Sequence, residues 1–111
     1  MRRFAVSVPI LACTAASALA IASSAAAASK EVTVTVANMR YGAIPAGLKV
    51  GDAIVWKNND SVPHTVTARD KSFDLRLSPH QTVRMTLGKA GAFPFYCVFH
   101  MQMRGTMTVG N

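Results

Sequence analysis

The segment YCVFHMQM occupies residues 96–103, near the C-terminus of a chain of 111 residues. It offers a thiol on Cys97, an imidazole on His100 and thioethers on Met101 and Met103. Such donors are soft, and soft donors select copper. A second imidazole, His64, lies far upstream in the segment VPHTVT. Since two His, one Cys and a weak axial Met are the ligand set of a blue-copper electron-transfer site, we predict that the fold brings the two segments together.

The sequence around these residues has the pattern of short strands. Valine and threonine alternate over residues 32–36, which is the period-two pattern of a half-buried strand. Similar alternation recurs at residues 73–77, 83–87 and 93–97. Turn residues separate the runs at intervals of about eight to twelve residues, which is typical of an all-β sandwich or barrel. We therefore predict about eight strands, and we expect His64 to connect the two halves of the sandwich.

The first 28 residues have the composition of a secretory signal peptide. Arg2 and Arg3 precede an apolar run over residues 4–22, and small residues follow up to Ala28. A positive start, an apolar middle and an A-x-A end are typical of such leaders. We therefore predict a signal peptide at residues 1–28 and a single domain at residues 29–111.

Three other interpretations of the leader stay open. An uncleaved apolar run over residues 4–28 is long enough to anchor the chain in a bilayer. The segment ILAC, ending at Cys13, weakly resembles a lipoprotein processing site. Arg2 and Arg3 are also compatible with the twin-arginine export route.

Charge and cysteine content narrow the class of protein. The formal net charge is +7 at pH 7, and the basic residues are dispersed along the chain. Such a charge either aids solubility as a solvated positive surface or attracts an acidic partner and raises its association rate. Nothing resembles a recognition helix or a basic cluster, so we expect no nucleic-acid partner. If Cys13 leaves with the leader, Cys97 is the only thiol of the domain, which excludes an internal disulfide and makes a ligand role for this thiol worth testing.

Two thioethers, Met101 and Met103, could serve as the axial ligand, and more than one metal binds Cys and His. Met103 is the preferred axial ligand, because Met101 adjoins His100 and would more easily point outward. The remaining histidine, His80, falls in the turn SPHQ and is predicted to be a surface residue. Zinc is the main alternative metal, because it also binds Cys and His. An iron–sulfur cluster would need more cysteines.

Several segments of the chain resemble cupredoxins of the plastocyanin/amicyanin family. The spacing Cys97-x2-His100-x2-Met103 is similar to the short ligand loop of amicyanins, whereas plastocyanins carry two more residues between His and Met. The matching segments cover most of residues 31–109 and read VGD to WKN at 50–58, DSVPHTV at 60–66, SFD at 72–74, and residues 91–109.

This resemblance implies a Greek-key β-sandwich and a function. It implies His64, Cys97, His100 and Met103 as ligands of one type 1 copper ion, in a soluble, monomeric, periplasmic one-electron carrier. The expected redox partners are a c-type cytochrome or a periplasmic dehydrogenase. One departure concerns Thr65, which stands where amicyanins have an Asn that braces the site by hydrogen bonds.

Two other functions use the same residues differently. A periplasmic copper chaperone or storage module would hold copper with this ligand set but exchange it quickly. A copper oxidase or nitrite reductase would need further copper centres with several more histidines. Only His80 is left over, so we expect no enzymatic activity.

Overall fold

The structure of the protein is a computed structural model, and it describes residues 28–111. The predicted signal peptide and its three alternatives therefore lie outside the described residues, apart from Ala28. Among the described residues, no helix is long and apolar enough to span a membrane. Nine strands make up this part of the chain: β1 Glu31–Ala37, β2 Arg40–Tyr41, β3 Leu48–Lys49, β4 Ala53–Asn58, β5 His64–Ala68, β6 Asp74–Leu77, β7 Thr82–Thr86, β8 Gly91–Tyr96 and β9 Arg104–Gly110.

The strands form two sheets, with the order β2-β1-β4-β7 in one and β3-β9-β8-β5-β6 in the other. Both sheets are mixed, because β1 pairs parallel with β4 and β3 pairs parallel with β9, while the other pairs are antiparallel. The predicted all-β Greek-key β-sandwich is confirmed, with nine strands where the sequence predicted about eight. The two shortest strands, β2 and β3, have only two residues each, and a pair of residues shows no periodicity.

Alternating apolar side chains from both sheets fill a single core. In β1, Val34 and Val36 are buried while their threonine neighbours are more exposed, as the period-two pattern predicts. The aromatic part of the core consists of Trp56 from the first sheet and Phe95 from the second, whose ring centroids are 5.5 Å apart in an edge-to-face arrangement. This aromatic contact joins the two sheets, and its Phe95 precedes Cys97 by two residues in the sequence.

Strand ends place the predicted site at one end of the sandwich. Strand β8 ends one residue before Cys97, and β9 begins one residue after Met103. Strand β5 starts at His64 and pairs antiparallel with β8, so its first residue lies at the same sheet end as the last residue of β8. The expectation that His64 would connect the two halves of the sandwich is wrong, because β5 and β8 are neighbours in one sheet.

Candidate metal centre

Three side chains from the two segments converge at this end of the sandwich. Nδ1 of His64 lies 3.9 Å from Sγ of Cys97, and Nδ1 of His100 lies 3.7 Å from the same sulfur. The three donor atoms all lie within 4.8 Å of one another. His64 and Cys97 are buried, whereas His100 is partly exposed. The fold thus brings together the residues that the sequence placed far apart.

The loop over residues 97–103 is held by its own backbone. The Cys97 N–H donates to the carbonyl of Met103 at 3.0 Å, and the Met103 N–H donates to the carbonyl of His100 at 2.8 Å. A further bond runs from the His100 N–H to the carbonyl of Cys97 at 3.3 Å. Within this loop, Met103 is only 3% exposed and Met101 is 66% exposed. The backbone therefore turns the side chain of Met103 toward the interior and that of Met101 toward solvent.

Asp60 orients the ring of His64. Nε2 of His64 lies 2.7 Å from Oδ2 of Asp60, so a proton on Nε2 leaves Nδ1 with a lone pair that faces the thiol. The same carboxylate accepts backbone N–H bonds from Asn38 at 2.8 Å and Met39 at 3.0 Å. The Met39 N–H makes the largest contribution to lowering the pKa of Asp60, and the bonds from His64 and Asn38 lower it further. Asp60 therefore stays an acceptor for His64.

Thr65 connects strand β5 to the loop through both backbone and side chain. Its N–H donates to Sγ of Cys97 at 3.4 Å, and its Oγ1 accepts the N–H of Val98 at 3.0 Å. The Thr65 carbonyl accepts the hydroxyl of Tyr41. Burial raises the pKa of Tyr41, and the charge of Cys97 raises it further, which keeps this hydroxyl a donor. Thr65 thus provides a brace at the position where the sequence resemblance pointed to an Asn.

The donor spacing fits a single metal ion. An imidazole nitrogen about 2.1 Å and a thiolate sulfur about 2.3 Å from one first-row metal ion, at about 120° to each other, lie about 3.8 Å apart. The measured separations of Cys97 Sγ from the two imidazole nitrogens are 3.9 Å and 3.7 Å. The spacing of the sulfur from both imidazole nitrogens is therefore compatible with one metal ion that would be held by His64, Cys97 and His100.

Exposed apolar side chains occur in the ligand loop next to the partly exposed His100, and in the segment that precedes His64. The side chains of Val62, Val98, Phe99 and Met101 are exposed large hydrophobic groups. The guanidinium carbon of Arg76 lies 5.5 Å from the ring centroid of Phe99, which places a positive charge beside this ring. His80 is exposed in a turn, with a positive φ of 60°, and takes no part in the cluster.

The protein is thus a small β-sandwich domain with a candidate metal centre, formed by two imidazoles and a thiol, at one end. A family model described as the cupredoxin-like domain matches residues 8–109. The chain therefore belongs to the cupredoxin family.

Amicyanins are among its most similar relatives. Amicyanin of Paracoccus denitrificans is 27% identical over 84 residues, which cover 70% of this chain and 64% of that protein. The chain thus spans slightly less than two thirds of the length of this relative. Amicyanin-alpha of Methylorubrum extorquens is 26% identical over 118 residues, covering 98% of this chain and 99% of that protein.

Solved amicyanin structures share the fold. The crystal structure of amicyanin from Paracoccus versutus matches with a TM-score of 0.61 and 27% identity, over 71% of this chain and 80% of that chain. The Cu(I) form of an amicyanin variant matches with a TM-score of 0.61 and 28% identity, over 77% of this chain and 87% of that chain. The predicted resemblance to cupredoxins of the amicyanin type is confirmed.

Proposed function

We propose that the protein is a type 1 (blue) copper protein that carries single electrons between redox partners. In this proposal His64, Cys97 and His100 are the strong ligands, and Met103 is the weak axial ligand. The observation that carries the proposal is the approach of two imidazole nitrogens and one sulfur to within 4.8 Å of one another. Bound copper would supply a one-electron couple at this point.

The donor set favours copper over zinc. Structural zinc sites bind four strong ligands in a tetrahedron, and this cluster has three. The nearby carboxylate of Asp60 is engaged by His64 and two backbone N–H groups. A buried thioether close to the loop, as Met103 provides, suits the long axial position of a blue-copper site. The low exposure of Met103 relative to Met101 supports the choice of axial ligand.

Electrons would enter and leave through His100. This ring is the more exposed of the two imidazoles, and the apolar side chains of Val98, Phe99 and Met101 flank it. An apolar surface of this kind marks an interaction site, and weak electron-transfer contacts are small. Arg76 beside Phe99 would favour an acidic partner. A c-type cytochrome or a periplasmic dehydrogenase is the proposed partner class.

The proposed location is the periplasm, with the carrier acting as a monomer. The signal-like composition of residues 1–28 supports export. The remaining domain, residues 29–111, would then carry the site. N-terminal sequencing of the exported protein tests this boundary, and an N-terminus other than residue 29 would correct it.

Optical and electron spin resonance spectra of the copper-loaded protein test the proposal. We expect an intense visible absorption band from charge transfer between the Cys97 sulfur and Cu(II). The variant Cys97→Ser should abolish this band. A matched pair of variants, His100→Asn and His80→Asn, separates the cluster from the surface: only the first should lose the band, since His80 lies outside the cluster. Asn also tolerates the positive φ at residue 80. A colourless Cu(II)-loaded protein would refute the proposal.

A further inference from the structure

A chain of hydrogen bonds leads from the ligand loop to strand β6. The N–H of Val98 donates to Oγ1 of Thr65 at 3.0 Å. Oγ1 of Thr65 lies 2.9 Å from Oγ1 of Thr67, and Oγ1 of Thr67 lies 2.8 Å from Oδ1 of Asp74. Both threonines are buried, while Asp74 is exposed on β6. The chain thus connects the residue after Cys97 with a carboxylate at the protein surface.

The number of hydroxyl protons fixes which group donates in each hydrogen bond of this series. Each threonine hydroxyl has one proton and can accept two bonds, whereas a carboxylate only accepts. The Thr67 proton therefore goes to Asp74. The proton between the two threonine oxygens must then come from Thr65, which leaves a lone pair of Thr65 for the N–H of Val98. Every bond points from the ligand loop toward Asp74, and bonds aligned in this way strengthen one another.

We propose that Thr67 and Asp74 are positioning residues of the metal centre, acting through Thr65 on the loop that carries Cys97 and His100. The proposal rests on the function proposed above for this loop. Neither Thr67 nor Asp74 belongs to the candidate ligand cluster. Asp74 accepts the hydrogen bond of the Thr67 hydroxyl, and Thr67 in turn accepts that of the Thr65 hydroxyl, so that Thr65 presents a lone pair rather than a proton to Val98.

The physical basis is the position of Thr65 between the thiol and the loop. Its N–H reaches Sγ of Cys97 at 3.4 Å, and its hydroxyl holds the next residue, Val98. Hydrogen bonding around a ligand sulfur tunes the redox potential of a blue-copper site, and partners outside the ligand set orient the ligands themselves. Without an acceptor at Thr67, the Thr65 hydroxyl can rotate its proton toward Val98 and lose this contact.

The first test needs no metal and measures amide hydrogen exchange of Val98 in the metal-free full chain. Thr67→Val replaces a hydroxyl by a methyl of the same shape, and we expect Val98 to exchange about three- to tenfold faster, as for the loss of one ordinary hydrogen bond. Thr67→Ser keeps the hydroxyl and should exchange at the wild-type rate. Thr108→Val, at an exposed position of β9, is the matched control and should leave Val98 unchanged.

Substitutions of Asp74, at the exposed end of the hydrogen-bond series, give an independent test. Asp74→Asn keeps a carbonyl acceptor and should preserve protection of Val98, whereas Asp74→Leu removes the acceptor and should weaken it. Because Asp74 is exposed, both variants are expected to fold. Unchanged exchange of Val98 in both Thr67→Val and Asp74→Leu would overturn the proposal. An equal acceleration of all loop amides, as from general loosening, would overturn it too.

The second test uses the copper-loaded protein. Loss of the contact between Thr65 and Val98 should weaken the hydrogen bond from the Thr65 N–H to the Cys97 thiolate. A weaker hydrogen bond to the thiolate favours the oxidised state. The reduction potential of Thr67→Val should therefore be lower than that of Thr108→Val. Thr67→Ser should restore it. Equal potentials in Thr67→Val and Thr108→Val would overturn the link to the metal centre. If the protein binds no copper, the proposed function fails, while the exchange result for Val98 still decides whether the hydrogen-bond chain positions the loop.

Discussion

A single methyl group at Gly105 should destabilise the protein. A Cβ at this position would lie 2.7 Å from Cζ of Phe95 and 3.2 Å from its Cε2. The Phe95 ring cannot easily move, because it packs edge-to-face on Tyr41 and Trp56 with centroid distances of 4.9 Å and 5.5 Å. Overpacking a core of this kind costs about 1–3 kcal/mol. Replacing Gly by Ala within a strand otherwise gains about 0.5–1 kcal/mol.

The overpacking term is the larger, and the fixed ring places it in the upper part of its range. We therefore expect Gly105→Ala to lower the free energy of unfolding by about 1–2 kcal/mol. For a domain of this size, that loss corresponds to a fall in melting temperature of about 4–16 °C. Thermal and urea denaturation of the metal-free protein measure both quantities.

Gly110→Ala is the matched control, since it lies on the same strand and its Cβ would meet its nearest atom, the Leu48 carbonyl oxygen, at 3.6 Å. Free of a clash, it should raise the free energy of unfolding by about 0.5–1 kcal/mol. A smaller side chain opposite should relieve the strain, so Phe95→Leu in the Gly105→Ala background should show favourable coupling in a double-mutant cycle. A Gly105→Ala protein as stable as Gly110→Ala would refute the reasoning about the fixed ring.

Three further predictions concern the metal centre. Met103→Gln should lower the reduction potential measured by voltammetry and Met101→Gln should leave it near wild type, because only Met103 is buried; the reverse result would identify Met101 as the axial ligand. The lowered pKa of Asp60 means that its stabilising contribution is fully present above the ordinary aspartate pKa of about 3.9 and is lost as the pH falls through the lower folded value. Asp60→Asn should therefore flatten the acid limb of the stability curve, and an unaltered acid limb would contradict this account. Phe99→Asp should slow electron self-exchange, measured by NMR line broadening, whereas Val50→Asp at the opposite end should not; equal effects would exclude the apolar surface as the contact site.

The sequence predicted the fold class because its strands are regular where they face the core. Alternation in β1 and in the run ending at Phe95 corresponds to the burial pattern in the structure. The short strands β2 and β3, and the parallel pairing of β1 with β4, could not be predicted in the same way. Parallel pairing depends on which distant strands become neighbours, and periodicity within one strand contains no information about its neighbour.

For the candidate site, the sequence indicated the candidate ligands but not the residues that hydrogen-bond to them and orient them. The soft donors of residues 97–103 and the isolated His64 could be recognised by their chemistry alone. Asp60 stands in the segment DSVPHTV, and no pattern in that segment marks it as a support for His64. Its role depends on the path of the chain between β4 and β5, which brings the carboxylate within 2.7 Å of the His64 ring. The only available signal was its position four residues before His64.

In the proposed function, the contacts of the two imidazoles bear on the route that an electron would take. The two imidazoles are not equivalent: His64 is fully buried and its outer nitrogen is bound to Asp60, whereas His100 is partly exposed beside Phe99 and Met101. Among the described residues, His100 is the more exposed imidazole, so the proposed partner would approach the site from its side. Since the loop that carries His100 is closed by three backbone hydrogen bonds, the proposed ligands would need to move little when bound copper changes its charge. The proposed carrier would thus combine a loop held by its own backbone with His100 as its route to the surface.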